Sequence, residues 1–397
     1  MNDTLFELVE ARRDDLVTFA QKLVQAPSRS GHEGQVAALI RAEMERLGFH
    51  EVGVDEAGNV LGRVAGGDGP ALMLNGHMDH VDAGPAARWR HPPFAGEIHD
   101  GELWGRGIAD MKGALAAMVY AAALAPQAGA ELPGDLYVSA VVQEEIGGLG
   151  ARHLSENLPV QHVVVGEASA NQLRRGHRGR VELLAHFEGR SVHASMPDLG
   201  INPHYSLAHF LGGLRFLHMP SDSAYGASTV APTRIESEPE GTNVTPAALR
   251  LSLDWRNVPA ETLDEILARL ETLLTSTLEP GCRGRIEVSS RELVSYTGLR
   301  LTYPDVFASF TTPPAHPWLM QSQAALVHAL GRAVEIGTWR FATDGGHFAA
   351  AGATVLGFGP GDDTLVHTVE ERLPVDQLVE SVVGYLALAF QPRPSPG

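Results

Sequence analysis

The sequence is poor in cysteine, in basic residues and in long apolar runs. Its single cysteine, Cys282, can neither form a disulfide within the chain nor supply a cysteine-rich zinc site. No run of eighteen apolar residues occurs, and the first residues lead into a charged amphipathic stretch rather than a basic and then apolar leader. We therefore expect a soluble, cytoplasmic protein without a transmembrane helix or a secretory signal.

The excess of acidic residues excludes another group of partners. The chain contains 48 aspartates and glutamates against 30 lysines and arginines, which gives a formal net charge of −18. Such a charge repels nucleic acid and anionic membrane surfaces, so we expect neither as a partner. The 18 histidines beside this acidic surplus raise the expectation of bound divalent metal, because imidazole and carboxylate groups are common zinc ligands.

The 397 residues, of which 44% are hydrophobic, suffice for two domains with sizeable cores. Apolar spacing predicts helices over residues 5–24, 33–47 and 113–124. Mostly apolar runs at residues 136–142 and 163–165 predict buried strands. Because strands and helices alternate, the sequence predicts an α/β domain whose functional groups lie at the ends of strands.

From about residue 179 the order of predicted elements becomes β-α-β-β-α-β, which is the ferredoxin-like order. The predicted strands cover residues 180–187, 228–235, 249–254 and 285–289, and the predicted helices cover 203–217 and 261–278. The α/β pattern then resumes with a helix over 318–330, a strand over 354–357 and a helix over 375–389. We therefore predict a domain over 179–293 that is inserted into a larger domain formed by 1–178 and 294–397. Residues 392–397 are predicted to be a disordered tail.

His77 and Asp79 follow a short apolar strand. Because residues two apart in an extended chain face the same side, both side chains would project together from the strand end. Histidine is a good zinc ligand, and a nearby carboxylate can accept its second N–H and fix its tautomer. His80 and Asp82 would face the opposite side and are interpreted as structural. Taken alone, His77 and Asp79 are explained better as a surface pair.

Other segments offer similar groups. Asp110 lies in a glycine-rich loop just before a predicted helix, where a plain N-cap is the simpler explanation. Glu144 and Glu145 end an apolar strand, and such adjacent like charges need a cation or a proton to offset them unless they lie in a surface turn. Glu167 ends a second buried strand, and His367 follows a loop rich in Gly, Pro and Asp. Each segment alone favours its ordinary structural explanation, but the combination does not.

In this combination and order of motifs the chain resembles the M20 family of metallohydrolases, over nearly its whole length. That family includes acetylornithine deacetylases, succinyl-diaminopimelate desuccinylases, aminoacylases and glutamate carboxypeptidases. The resemblance implies a zinc-exopeptidase-like α/β catalytic domain with an inserted ferredoxin-like lid and dimerisation domain. It also implies two zinc ions per chain, and cobalt or manganese would suit the same kinds of ligand.

The resemblance further implies a role for each motif residue. Asp110 would bridge both zinc ions, and a cis peptide bond would follow it. His77 and Glu167 would complete the ligands of one ion, and Glu145 and His367 those of the other.

Two residues would act beside these ligands. Asp79 would orient His77. Glu144 would be the general base that takes the proton of the attacking water and hands it to the leaving nitrogen.

Residues outside the metal motifs would bind the substrate. His193 would polarise the scissile carbonyl, in its own or in the neighbouring subunit, although a surface-loop residue is the alternative. Asn243 and Arg256 match the carboxylate-binding segments of the family, and the alternative for Arg256 is a salt bridge at a strand end. Gly345 and Gly346 lie where the family has a glycine-rich substrate loop. The position of His193 implies a homodimer through the lid domain.

The implied enzyme is a metal-dependent amidohydrolase that cleaves an N-acyl amino acid or the C-terminal residue of a short peptide. Members with glutamate at the position of Glu167 tend to be deacylases or carboxypeptidases. Members with aspartate there tend to be aminopeptidases or dipeptidases, which remain the alternative. A non-catalytic binding protein or a lid-mediated interaction protein is disfavoured, because Glu144 and all the ligand positions are present. His347 is more simply explained as a loop residue than as a substrate contact.

Overall fold

The computed structural model describes residues 2–158 and 160–393, and the chain divides into two compact units. Unit 1 comprises Met1–Gly176, Glu292–Leu301 and Phe310–Gly397, and unit 2 comprises His177–Arg291 and Thr302–Ser309. The predicted insertion over 179–293 was a single segment, whereas unit 2 contains a second segment. That segment belongs to unit 2 because its strand Val306–Phe307 pairs with the strand Arg180–Glu188. Residues 394–397 of the predicted disordered tail lie outside the described residues.

The predicted helices are present with one difference at the N-terminus, and the helices over Leu149–Asn157 and Gly345–Ala350 were not predicted. In chain order the helices of the described chain are α1 (Asn2–Glu10), α2 (Arg13–Val24), α3 (Gly34–Arg46), α4 (Gly113–Leu124), α5 (Leu149–Asn157), α6 (Pro203–Leu214), α7 (Leu263–Thr277), α8 (Pro317–Leu330), α9 (Gly345–Ala350) and α10 (Val375–Ala389). The single helix predicted over 5–24 was wrong, because Arg12 has φ −114° and ψ 7° and separates two helices. Apolar spacing continues across this break, so the sequence pattern does not mark it.

The strands range from two to ten residues in length. In chain order they are β1 (Glu51–Val54), β2 (Val60–Val64), β3 (Leu72–His77), β4 (Ile98–His99), β5 (Glu102–Trp104), β6 (Leu136–Val141), β7 (His162–Val165), β8 (Leu173–His177), β9 (Arg180–Glu188), β10 (Val192–His193), β11 (Ser221–Asp222), β12 (Gly226–Ala227), β13 (Thr229–Glu238), β14 (Val244–Thr245), β15 (Ala248–Arg256), β16 (Arg283–Val288), β17 (Ser290–Val294), β18 (Arg300–Pro304), β19 (Val306–Phe307), β20 (Phe310–Thr311), β21 (Ile336–Trp339), β22 (Thr354–Gly357) and β23 (Arg372–Pro374).

A mixed sheet forms the centre of unit 1. Its strand order is β1-β2-β6-β3-β7-β22-β8-β20, and β21 also pairs with β8. The pairs β3–β6, β3–β7 and β7–β22 are parallel, so four neighbouring strands end at the same edge of the sheet. Their side chains are buried on both faces, which explains why the sequence shows apolar runs rather than alternation. The predicted α/β fold is confirmed.

The Ala-rich helix α4 is the core helix of unit 1 and packs against α10. The helical stretch Ile108–Gln127, which contains α4, is long and apolar enough to cross a membrane, but 94% of its most apolar window is buried inside the protein. Such burial is what a core helix shows, because its apolar surface is already covered by the protein itself.

Unit 2 contains the predicted β-α-β-β-α-β motif. Its antiparallel sheet has the order β13-β15-β9-β16, with β19 pairing on β9. Buried and partly exposed residues alternate along β9 and β15, so one face of the sheet is apolar. Apolar residues of α6 and α7 cover that face in one hydrophobic cluster. Helix α7 begins with a capping box formed by Thr262 and Glu265, which satisfies the first free backbone N–H groups.

Candidate active site

Acids and histidines converge at the edge of the unit 1 sheet where the four parallel strands end. In the strand register His77 lies opposite Val141 and Asn75 lies opposite Val165. The residues that directly follow β6 and β7 are therefore carried to the level of His77. The groups gathered here are His77 at the end of β3, Glu144 and Glu145 after β6, Glu167 after β7, His367 in the loop after β22, and Asp110 in an irregular helical turn before α4.

Asp110 is at the centre of this group. Its Oδ1 lies 2.9 Å from Nε2 of His77, and its Oδ2 lies 3.0 Å from Nε2 of His367. Each carboxylate oxygen thus faces a different imidazole. The Asp110–Met111 peptide bond is cis, which confirms the expectation from the family resemblance.

At this edge of the sheet, two sets of side chains have converging ligand atoms. His77, Glu144 and Glu167 form one set, and His77, Asp110 and Glu145 form the other, with the ligand atoms of each set within 4.8 Å of one another. Nε2 of His77 is 3.5 Å from Glu167 Oε1, and Nε2 of His367 is 3.1 Å from Glu145 Oε1. The side chains predicted to hold two metal ions therefore lie together, and the assignment of each to an ion remains a prediction.

Asp79 contacts both His77 and the turn that follows β6. Nδ1 of His77 is 3.0 Å from the backbone oxygen of Asp79 and 3.5 Å from its carboxylate, so the carbonyl is the nearer acceptor. A proton on Nδ1 would leave the lone pair of Nε2 free to bind a metal. The Asp79 carboxylate accepts hydrogen bonds from the backbone N–H groups of Glu144 (3.1 Å) and Glu145 (3.3 Å) and from the Ser30 hydroxyl. It therefore fixes the position of the two acids.

The acids of the site repel one another in a buried environment. Burial, together with neighbouring negative charge, raises the pKa of Glu144 well above its ordinary value of 4.5. Burial and the charge of Asp110 raise the pKa of Glu167 to about 7 and also raise that of Glu145. Buried like charges are unfavourable unless protons or cations offset them. The site thus has a physical need for positive charge.

The two imidazoles supply only part of that charge. Hydrogen bonds to Asp110 and then to Glu145 raise the pKa of His367 to about 10. Burial lowers the pKa of His77, but hydrogen bonds to Asp110, Asp79 and Glu167 outweigh it and the pKa is raised. Imidazole nitrogens and carboxylate oxygens are the donors that zinc takes, and they also suit cobalt and manganese. The donor set and the surplus of buried acids therefore fit a pair of divalent cations.

A further acid beside this site was missed as a site residue. The predicted substrate-loop glycines, Gly345 and Gly346, are buried and begin α9. Asp344 precedes them, is 1% exposed, and has no hydrogen-bond partner for either carboxylate oxygen among the described residues. Burial raises its pKa to about 8. An aspartate before Gly-Gly is equally typical of a turn, so the sequence pattern alone does not mark Asp344 as a buried residue of the site.

His347 lies against the turn that carries Glu144. A Cβ added at Gly148 would be 2.5 Å from Nε2 of His347 and 3.2 Å from Oδ1 of Asp344. His347 was interpreted as an ordinary loop residue, and its side chain is in fact buried beside the site. Glycine at position 148 is what leaves room for it.

The predicted substrate-binding residues of the lid belong to unit 2. His193 is exposed on β10, and its Nδ1 lies 2.7 Å from the Ser195 hydroxyl. The backbone oxygen of Asn243 accepts the N–H of Ala194. Arg256 forms two hydrogen bonds with Asp254, of 2.6 and 3.1 Å, which is the salt bridge considered as its alternative role. The roles of His193, Asn243 and Arg256 in substrate binding remain predictions.

A second group of potential ligands, His91, Glu97 and His99, lies nearer the surface. The two imidazole rings are stacked, with centroids 3.7 Å apart and planes inclined by 18°. The lone pair of an imidazole nitrogen lies in the plane of its ring. Two nearly parallel stacked rings therefore cannot both direct a lone pair at one ion, and this group does not have the geometry of a metal site.

Comparison with known proteins bears on the whole chain. Succinyl-diaminopimelate desuccinylase of Caulobacter sp. strain K31 is 30% identical over 389 residues, 94% of this chain and 95% of that protein. The uncharacterized protein YgeY of Escherichia coli strain K12 is 29% identical over 391 residues, which cover 97% of this chain and 96% of that protein.

Among solved structures, the YXEP protein of Bacillus subtilis, a dinuclear metal-binding peptidase of the M20 family, is similar in fold. Its TM-score is 0.72 at 16% identity, with 96% of this chain and 98% of that chain covered. The model of peptidase family M20/M25/M40 matches residues 73–391, a span that includes every strand end and loop of the acid and histidine cluster. On this match, the chain is a hydrolase that belongs to peptidase family M20/M25/M40.

Proposed function

We propose that this chain is a two-zinc amidohydrolase that releases an amino acid from an N-acyl amino acid, or a C-terminal residue from a short peptide. The observation that carries the proposal is the position of Asp110, whose two carboxylate oxygens face imidazoles on different sides at 2.9 and 3.0 Å. A carboxylate placed in this way is suited to hold two cations side by side. Cobalt or manganese would suit the same ligands.

The protein's own groups would handle the proton and the charge. A pair of divalent cations, when bound, supplies a water of lowered pKa and stabilises negative charge that develops on the carbonyl oxygen. Glu144 would take the proton of the attacking water and hand it to the leaving nitrogen. Two features support this role for Glu144. The Asp79 carboxylate holds its backbone N–H, and burial makes its ionised carboxylate a stronger base than an exposed one.

The substrate class rests on two further points. Glu167 is the residue that resemblance associates with deacylases and carboxypeptidases, and the Caulobacter relative is a desuccinylase. A free carboxylate on the substrate would be bound by Arg256 and Asn243, and His193 would polarise the scissile carbonyl. Arg256 would then exchange part of its pairing with Asp254 for the substrate, which a guanidinium with five N–H groups can do. A dipeptidase or aminopeptidase remains the second candidate.

We also propose a cytoplasmic homodimer that forms through unit 2. Strand β13 is ten residues long and lies at the edge of its sheet, and an exposed edge of this kind is a natural pairing surface. Tyr205 and Phe216, in and just after α6, are 62% and 86% exposed, which is unusual for large apolar side chains. Sedimentation of wild-type protein and of a Phe216→Asp variant tests this. A wild-type protein that is monomeric and fully active would exclude a role for His193 across subunits.

The central experiment measures hydrolysis of a panel of N-acyl amino acids and dipeptides by metal-loaded protein, with a chelator-treated control. We expect chelator-sensitive release of a free amino acid and about two metal ions per chain. Glu144→Gln should lower kcat by about 10²- to 10⁴-fold while the metal content stays at two. The matched control is Glu370→Gln, which changes an exposed glutamate and should leave activity intact. Full activity of Glu144→Gln would exclude it as the base.

A further inference from the structure

Glu371 is a buried carboxylate that lies outside the set of proposed ligands. It is fully buried, and both of its oxygens accept hydrogen bonds. Oε1 accepts from the backbone N–H groups of Ala109 (3.1 Å) and Asp110 (3.3 Å), and Oε2 accepts from the Arg106 guanidinium. All three donors belong to the glycine-rich segment that ends at Asp110.

These contacts join two parts of the chain that are far apart in sequence. Glu371 and Asp110 are separated by 261 positions in the sequence, whereas His367 is only four residues before Glu371. The backbone oxygen of Glu371 also accepts the N–H of Gly105, and β23 pairs with β5 directly beyond it. Among the described residues, the Glu371 side chain is the group that accepts a hydrogen bond from the backbone N–H of Asp110.

The loop that carries His367 needs such an attachment. His367 has φ +63°, a left-handed conformation that residues other than glycine seldom adopt and that persists only when the surroundings impose it. The His367 side chain is about half exposed, so burial does little to hold it. The next fully buried side chain along the chain is that of Glu371. The hydrogen bonds of Glu371 therefore hold the end of the His367 loop against the turn that carries Asp110.

We propose that Glu371 is a positioning residue that sets the distance between Asp110 and His367. It would thereby govern the affinity of the metal position formed by Asp110, Glu145 and His367. This inference rests on the proposed two-metal function. His77 is the last residue of β3, and Glu167 is the second residue after β7. Because the sheet positions both of them, the second metal position should be much less sensitive to a change at Glu371.

The sharpest test uses two double variants that both remove the buried Arg106 cation. Arg106→Met with Glu371→Gln keeps a carbonyl oxygen that can accept the N–H groups of Ala109 and Asp110. Arg106→Met with Glu371→Leu has no acceptor there. Neither variant leaves an unpaired charge in the interior, which is the largest cost that a single replacement would bring, and the two differ only in the acceptor for these N–H groups. Glu370→Gln is the surface control.

The measurement is a titration of metal-free protein with cobalt, followed by its absorption bands and by competition with a chelator. Wild type, Glu370→Gln and the double variant with glutamine should bind two ions. The double variant with leucine should bind one ion with wild-type affinity and the other about 10- to 100-fold more weakly, as loss of a partner behind a ligand typically produces. High metal concentration should restore its kcat with little change in KM.

Other outcomes would overturn the inference. Equal affinities in the two double variants, or equal weakening of both ions in the leucine variant, would mean that Glu371 has only a general structural role. If the double variants unfold, Glu371→Asp replaces them. The aspartate side chain is one methylene shorter, so it can pair with Arg106 but cannot also reach the backbone N–H groups of Ala109 and Asp110. It should therefore weaken the same metal position while the buried ion pair is retained. Wild-type protein that binds no metal would instead refute the proposed function.

Discussion

Removal of metal is expected to reverse the way stability depends on pH. Glu167 is the clearest contributor, because burial and the charge of Asp110 raise its pKa from 4.5 to about 7 in the folded protein. Below pH 4.5 the carboxyl is protonated in both folded and unfolded chains and contributes nothing. Above pH 7 it is ionised in both, and the folded state is destabilised by about 3 kcal/mol, at about 1.4 kcal/mol per pKa unit. Metal-free protein therefore loses stability as the pH rises through this window.

The histidines add to this trend. Hydrogen bonds to Asp110 and Glu145 raise the pKa of His367 from 6.5 to about 10, and the pKa of His77 is raised as well. The stability that a raised histidine pKa supplies is complete below pH 6.5 and is lost as the pH rises through the folded-state pKa. Metal binding acts in the opposite direction, because every ligand must give up its proton first. The metal-loaded protein should gain stability over the same pH range.

The assay is urea unfolding, followed by circular dichroism at several pH values between about 4.5 and 8, with and without zinc. Glu167→Gln should remove about 3 kcal/mol of the pH-dependent loss in the metal-free protein and should abolish most of the stabilisation by zinc. Glu370→Gln, at an exposed position, should behave like wild type. Metal-free protein that becomes more stable as the pH rises, or a Glu167→Gln variant whose stability has the same slope against pH as wild type, would contradict this expectation.

Three further outcomes are expected. Gly148→Ala should destabilise the protein by about 1–3 kcal/mol more than Gly129→Ala in urea unfolding, because both glycines have positive φ but only a Cβ at 148 meets a side chain, that of His347. Equal losses of unfolding free energy in the two variants would show that the His347 imidazole moves aside without cost. Arg256→Ala should raise KM roughly tenfold or more for substrates with a free carboxylate and leave KM for their carboxamide analogues unchanged. His99→Asn should leave the metal content unchanged, and loss of an ion would show that the stacked histidines do bind metal.

The sequence was sufficient wherever a long periodic segment or a strand end carried the information. Helix 113–124, strand 354–357 and helix 375–389 were predicted with the bounds that the structure has. Functional groups were expected at the ends of the strands of an α/β domain. His77, Glu145 and Glu167 do lie together there.

The features of the fold and of the site that were not predicted depend on contacts or conformations that no local sequence pattern encodes. Glu371 stands beside an exposed glutamate, and nothing in their order tells which of the two is buried against the Asp110 turn. Asp344 resembles a turn residue, and only the tertiary fold places it, fully buried, next to Glu144. The break at Arg12 lies within an uninterrupted apolar pattern. In each case the deciding partners are distant in sequence or the deciding conformation is local and unmarked.

The wide spacing of the converging residues has a consequence for how the protein is made. His77 is translated well before His367 and Glu371, because it precedes them in the chain. Domains generally begin to fold from the N-terminal side during synthesis. The acids of β6 and β7 can therefore be gathered while their last imidazole partner does not yet exist. Under the proposed function, a chain whose synthesis stops before residue 367 would lack the second imidazole beside Asp110 and should have no activity.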